Sequence, residues 1–273
     1  MSSNGGSTWS VIGGATSDTY TVTASWSLND YLYRATFTNA SGSVTTQAAV
    51  YAYIQNSNNW AGYVESGGTY SAISGSWTVP TATCTSTTTQ AVEWVGIDGY
   101  GSSTVEQDGT DVACSGGHAV YSAWYEMYGD ASVNSGYMVA ISSTSYPVHP
   151  GDVITASVSV SGETWTLSLH NSTANWTFSI PIVDTTPPSQ ASAEWIVETP
   201  GVCSGTCSLS PLTNFGTVTF TNASVTSGAG TTAIQTGEYL GLDVTDSGGA
   251  TLMYPGSLFY GGAGFIVTWE ESS

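Results

Sequence analysis

Lysine is absent from the 273-residue chain and arginine occurs once, at Arg34, against 20 aspartates and glutamates, for a formal net charge of −19. A nucleic-acid binder must neutralise phosphates with Lys and Arg, so this composition excludes one. A polybasic membrane-surface binder is excluded on the same count. Charge-driven disorder is excluded too, because only 8% of residues are charged while 40% are hydrophobic. No stretch approaches the ~18 apolar residues of a membrane span. Missing as well are a Gly-x-Ser-x-Gly elbow, an HExxH pair and an Asp-rich calcium loop. The three histidines, His118, His149 and His170, lie in contexts that do not suit activating a nucleophile. The reading is therefore no metal and no cofactor.

A chain without lysine suits acid. Once the carboxylates are neutral, only Arg34, the histidines and the amino terminus carry charge, and self-repulsion stays small. A halophile-like surface shares the lack of lysine but carries charge at a higher density. The cysteines, Cys84, Cys114, Cys203 and Cys207, form an even set without zinc-knuckle spacing. Two disulfides in an exported protein are expected, Cys203–Cys207 across a short Ser-Gly-Thr loop and Cys84–Cys114 by remainder. The stretch Met1–Gly6 has neither a basic n-region nor an apolar h-region, so an exported form would have lost its leader.

Alternating apolar and polar residues recur in short runs punctuated by Gly, Ser, Asn and Pro. Examples are Tyr20–Ser27, Tyr31–Thr38, Ala91–Ile97, Ala119–Tyr128, Val153–Val160, Trp176–Ile182, Ala193–Glu198 and Gly264–Trp269. No run shows a helical period with caps. The pattern predicts an all-β fold, an antiparallel sandwich or barrel. A boundary is expected near Tyr53–Ser57, separating a β-rich segment 1–54 from a main domain 55–273. The first segment, with its Tyr31–Thr38 strand and Asn39-Ala40-Ser41-Gly42 turn, resembles the second half of a bacterial immunoglobulin-like repeat. A prosegment is the alternative, as are extra strands on the main domain.

Period-two alternation places chemistry on particular faces. Val92, Trp94, Gly96 and Asp98 share one face of their strand, and Ser122, Trp124, Glu126 and Tyr128 share one face of theirs. Gln107 and Asp111 have the same parity, and Glu194 shares a face with Ile196, opposite Trp195 and Val197. Tryptophans beside Glu, Asp and Gln suit a groove for a polymer, peptide or glycan, and equally suit the solvent side of a one-sided sheet.

The strings Asn59-Trp60-Ala61-Gly62-Tyr63, Gly75-Ser76-Trp77-Thr78-Val79-Pro80 and Trp94-Val95-Gly96-Ile97-Asp98-Gly99 occur in order. Gln107 with Asp111, then Ala123-Trp124-Tyr125-Glu126-Met127-Tyr128 and Ala193-Glu194-Trp195-Ile196-Val197-Glu198, follow them. This series resembles the glutamic peptidases, the eqolisin family. The resemblance implies a double-sheet, lectin-like jelly-roll sandwich and a catalytic pair at Gln107 and Glu194. It implies that Glu194, as carboxylate, takes a proton from the attacking water and returns it to the leaving amine, while the Gln107 amide steadies the oxyanion. Trp94, Asp98, Asp111, Trp124 and Glu126 match positions lining the family's groove. Ser122 stands where fungal members commonly carry an acidic residue. The segments Asp130–Gly136 and Thr199–Leu209 are expected to form rims of the cleft.

The resulting expectation is a secreted, monomeric acid endopeptidase acting on proteins or peptides, with no nucleic-acid or membrane partner. Two other classes compete. A non-catalytic carbohydrate-binding sandwich would use the tryptophan-rich face, and a glycoside hydrolase would use paired carboxylates such as Glu126 and Glu194.

Overall fold

The computed structural model describes residues 1–270 apart from 24, 52, 185–187, 205 and 235–237, and does not describe the side chains of 26, 50, 202–204, 206 and 207. The chain divides into two compact units, Met1–Gln55 and Asn56–Ser273.

In the first unit, Leu32–Tyr33 pairs with Ala49–Val50, and Thr36–Asn39 forms a hairpin with Gly42–Thr45. The expected Tyr20–Ser27 strand is not formed. Its described residues carry no ladder and end in a 3-10 turn at Trp26–Leu28. The expected Tyr31–Thr38 run is broken at Arg34 and Ala35. Alternation alone is not enough where no partner strand supplies the hydrogen bonds. The guanidinium of Arg34 lies 3.8 Å from the centre of the Trp9 ring, a cation–π contact.

The second unit is all-β, its only described helical turns being short 3-10 pieces. Its main strands are β1 (Trp60–Ser66), β2 (Tyr70–Thr78), β3 (Thr89–Ile97), β4 (Val105–Ser115), β5 (His118–Tyr128) and β6 (Val139–Ala140). They continue as β7 (Val153–Ser161), β8 (Thr164–Asn171), β9 (Trp176–Val183), β10 (Ser192–Glu198) and β11 (Thr217–Ser227). The last are β12 (Glu238–Thr245), β13 (Thr251–Pro255) and β14 (Phe265–Trp269). Hydrogen bonding runs in the order β6-β5-β4-β3-β10-β1-β12-β13-β14-β11-β2-β7-β8-β9. The path folds into an antiparallel sandwich, so a first layer centred on β5-β4-β3-β10-β1 faces a second centred on β11-β2-β7-β8-β9.

Contacts between the layers identify which parity points inward. Trp195 Nε1 of β10 donates to the Ser74 carbonyl of β2 at 2.8 Å, and Trp77 Nε1 of β2 donates to Thr110 Oγ1 of β4 at 2.9 Å. Tyr125 of β5 stacks on Phe178 of β9 with ring centres 5.7 Å apart. Around these lie Tyr63, Ile73, Val95, Ile97, Trp165, Leu167 and Val197, all essentially without solvent exposure. At about 25 cal/mol per Å² of buried apolar surface, such side chains supply the main drive to fold.

Cys84 and Cys114 form a disulfide. Gly201–Ser204 and Thr206–Leu209 pair as a hairpin in which Cys203 stands opposite Cys207. Their side chains lie outside the described residues, so the expected bond between them does too.

Candidate active site

Register brings the sequence-predicted residues together on the face of the first layer turned away from the second. Glu194 of β10 pairs with Gly96 of β3, Gly96 with Gln107 of β4, and Gln107 with Glu126 of β5. These positions form one row across the strands, and directly paired residues project to the same side. The next row is Ile196, Trp94, Gly109 and Trp124, and the one beyond is Glu198, Val92, Asp111 and Ser122.

Gly96 decides what the first row can do. Lying between Glu194 and Gln107, it presents no side chain of its own, and the benzo edge of Trp94 packs against it. A Cβ added there would sit 2.9 Å from Trp94 Cζ3 and 3.1 Å from Gln107 Cβ, too close for any larger residue without displacement. Gln107 Nε2 donates to Glu126 Oε2 at 2.7 Å, which fixes the amide plane and leaves Oε1 with no protein partner. Glu194 is fully buried; its Oε1 accepts a long 3.4 Å bond from the Tyr100 backbone N–H, while Oε2 has no partner.

The acids of this face are raised by burial. Glu194 is pushed well above the usual carboxyl range, first by desolvation, against opposing bonds from Ser192 and the Tyr100 N–H, with Asp98 and Glu106 adding to the rise. Burial lifts Glu126 to about 7 despite donors from Gln107 and the Met138 backbone, and Asp111 to about 6 despite Gln90 and Ser122. Gln90 Nε2 donates to Asp111 Oδ1 at 3.0 Å, and the Ser122 hydroxyl reaches Oδ2 at 3.5 Å.

Asp98 does something different from lining a groove. Held at φ 67°, it accepts from the backbone N–H groups of Gln190 and Ala191 at 2.6 and 2.8 Å. It thereby fastens the start of β10 two residues before Glu194. Trp94 and Trp124 are both buried, flanking Gly109 in the second row. Loop 129–138 leaves the end of β5, where its Met138 N–H reaches Glu126. Among the described residues no cluster of His, Cys, Asp or Glu is arranged to hold a metal ion, and no helix is long and apolar enough to cross a membrane.

Sequence reasoning passed over Glu198 and Asn59. Glu198 accepts from Trp94 Nε1 at 2.9 Å and from Asn59 Nδ2 at 2.8 Å. The signal was present, because Glu198 shares the parity of Glu194 along the same strand.

Residues 58–254 match the model of the Peptidase A4 family. The chain belongs to the peptidase A4 family, the glutamic peptidases. It is 31% identical over 198 residues to aspergillopepsin-2 of Aspergillus niger, covering 64% of this chain. The chain spans 66% of the length of that relative. Among solved structures, scytalido-glutamic peptidase bound to a transition-state analogue superposes with a TM-score of 0.68 at 23% identity, covering 79% of this chain and all of that one. Aspergilloglutamic peptidase from Aspergillus niger gives 0.56 at 28% identity, covering 67% of this chain and 99% of that one. The shared A4 architecture is the double-layered antiparallel sandwich described above.

Proposed function

We propose that the chain is a secreted endopeptidase that hydrolyses protein or peptide substrates in acid, with Gln107 and Glu194 as catalytic residues in the unit Asn56–Ser273. The observation that carries this reading is the row Glu194–Gly96–Gln107–Glu126, in which a carboxyl and an oriented carboxamide flank a side-chain-free position. Membership of a peptidase family gives the reaction class. Support for acid surroundings and export comes from the missing lysines and the Cys84–Cys114 disulfide.

Burial sets the order of proton transfers. Burial pushes the Glu194 carboxyl well above its usual range, which favours the protonated form, so the proposed reaction starts from the carboxylic acid where the family resemblance implied a carboxylate. Water attacks the scissile carbonyl carbon and gives its proton to one Glu194 oxygen, while the proton already on the other oxygen passes to the amide nitrogen. The second N–H of Gln107 Nε2 donates to the developing oxyanion, and Glu126 keeps that amide from rotating. Collapse re-forms the carbonyl and breaks the C–N bond, releasing amine and acid, with Glu194 again neutral. Activity then declines as pH rises through the elevated pKa of Glu194.

A glycosidase pairing of Glu126 with Glu194 fits the geometry poorly. The two are three strand spacings apart, about 14 Å between backbones, and Glu126 is committed to Gln107. The test is digestion of denatured casein from about pH 2 to pH 7, with fragments read by mass spectrometry. Glu194→Gln and Gln107→Ala should each lower turnover by at least about 10³-fold with melting at acid pH unchanged. Appreciable turnover by either variant overturns the assignment.

A further inference from the structure

Glu198 lies two rows from Glu194 and touches neither member of the proposed pair, yet it is tied to the indole that packs against Gly96 between them. Trp94 Nε1 donates to Glu198 Oε2 at 2.9 Å, and Asn59 Nδ2 donates to Oε1 at 2.8 Å. Asn59 is itself fixed, since its carbonyl accepts from the Thr199 N–H at 3.0 Å and its N–H reaches Ser57 Oγ. The Trp60 ring meets Trp94 edge-on, with centres 4.9 Å apart at 78°, and Trp60 is a further side-chain donor to Glu198. Trp60 reaches far enough that a Cβ on Gly99 would sit 2.7 Å from its Cη2.

The far edge of the Trp94 ring is what matters. Its Cζ3 lies against Gly96, the position separating Glu194 from Gln107. An indole pinned at Nε1 and braced by Trp60 has its opposite edge fixed as well, because the ring is rigid and about 7 Å long. A tilt at the Nε1 end is passed to the Gly96 end. Without an acceptor the buried Trp94 N–H would also lose its partner, which favours such a tilt.

We infer that Glu198 is a positioning residue for peptide hydrolysis: with Asn59 it clamps Trp94, and the benzo edge of Trp94, buried against Gly96, holds the strand position between Gln107 and Glu194 in place. This inference rests on the peptidase reading above. The clamp acts on the alignment of the reacting groups rather than on affinity, so its loss is felt in kcat more than in KM.

The experiment compares wild type, Glu198→Gln, Trp94→Phe and the double variant, using one fluorogenic peptide at acid pH. Glu198→Gln keeps the size of the side chain but offers one acceptor where two are needed; Trp94→Phe keeps an aromatic ring without the N–H. Each single variant should lose about tenfold in kcat with KM within about twofold, and the double should lose no more than the worse single. Losses that multiply, or a rise in KM with kcat unchanged, overturn the inference. Nitrogen-15 labelling of tryptophan gives a readout apart from activity: the resonance missing in Trp94→Phe should shift in Glu198→Gln, and an unmoved resonance also counts against the clamp. If the wild type cleaves no peptide while that resonance shifts, the peptidase reading fails and the physical clamp survives. If the wild type is active and Glu198→Gln matches it, the clamp fails and the peptidase reading survives.

Discussion

On β4, Gln107 and Asp111 point away from the second layer, while Glu106 and Asp108 beside them point into it. Three outward acids of the layer meet side-chain donors, Gln107 on Glu126, Gln90 on Asp111, and Trp94 and Asn59 on Glu198, while Glu194 keeps one oxygen without a donor. The inward acids are treated otherwise. Neither oxygen of Glu106 finds a donor, and one oxygen each of Glu65 and Glu93 is also without one. Burial pushes Glu106 to about 9, with the charges of Asp98, Asp184 and Asp130 adding to it, and pushes Glu93 to about 8 and Glu65 to about 7. Asp108 goes well above its usual range for the same reason, against a smaller opposing effect of the Ser168 N–H. Glu93 belongs to a hydrogen-bond chain, its Oε2 accepting from the Thr110 hydroxyl while Thr110 Oγ1 accepts from Trp77 Nε1. Acids on the inner face are thus built into a core that favours their neutral form, whereas Glu126, Asp111 and Glu198 on the outer face are oriented by specific N–H groups.

The contrast is broken most severely by raising pH. In the unfolded chain Glu titrates near about 4.3, whereas folded Glu93 and Glu106 hold their protons to about 8 and about 9. Between those limits the folded state binds more protons than the unfolded state, so stability falls as pH rises. It is complete below about pH 4 and lost toward pH 8 to 9, at about 1.4 kcal/mol per pH unit for each such group. Thermal melts should therefore drop steadily from acid to neutral pH. A flat or rising profile would remove the distinction between the faces.

Glu106→Gln sharpens the same comparison with a smaller effect. The amide cannot ionise, so the variant should match wild type near pH 3 and gain about 3 kcal/mol relative to it near pH 7. Denaturant titrations at the two pH values measure that difference, and peptide cleavage in acid should persist. The smallest effect is expected on the outer face with Gln90→Ala. Losing the donor to Asp111 Oδ1 raises that carboxyl further above about 6, and kcat/KM should change by under about threefold. The pH profile of cleavage reads it, and a large loss would give Gln90 a more direct part.

Much of this arrangement is legible in the chain itself. Simple alternation puts Glu194 with Ile196 and against Trp195, and puts Trp94 with Gly96; the strand ladders place them so. What alternation does not contain is register between strands. That Glu194, Gly96, Gln107 and Glu126 fall in one row depends on loop lengths and core packing across the layers. Asp98 counted as a groove residue by parity, but its left-handed backbone turns its carboxyl to the chain at Gln190 and Ala191. Glu93 shares parity with Val95 and Ile97, and Glu106 and Asp108 share it with Val112, a local conflict visible in sequence that is relieved where these acids are neutral. Under the proposed acid function, the acid-favouring features lie inside the sandwich as well as in the count of charges.

Around Gln107, neighbours on both sides in the chain are carboxylic acids, Glu106 and Asp108. Sliding β4 by a single position against β3 and β5 would put one of these opposite Gly96 in place of the carboxamide. The row would then hold three carboxyls, Glu194, Glu126 and the newcomer, with no carboxamide to donate a hydrogen bond, and the core would receive Gln107 instead. What keeps a carboxamide rather than a further carboxyl in that row is thus a register held to within about 3.3 Å along a strand, guarded by the Trp77–Thr110–Glu93 chain on the opposite face.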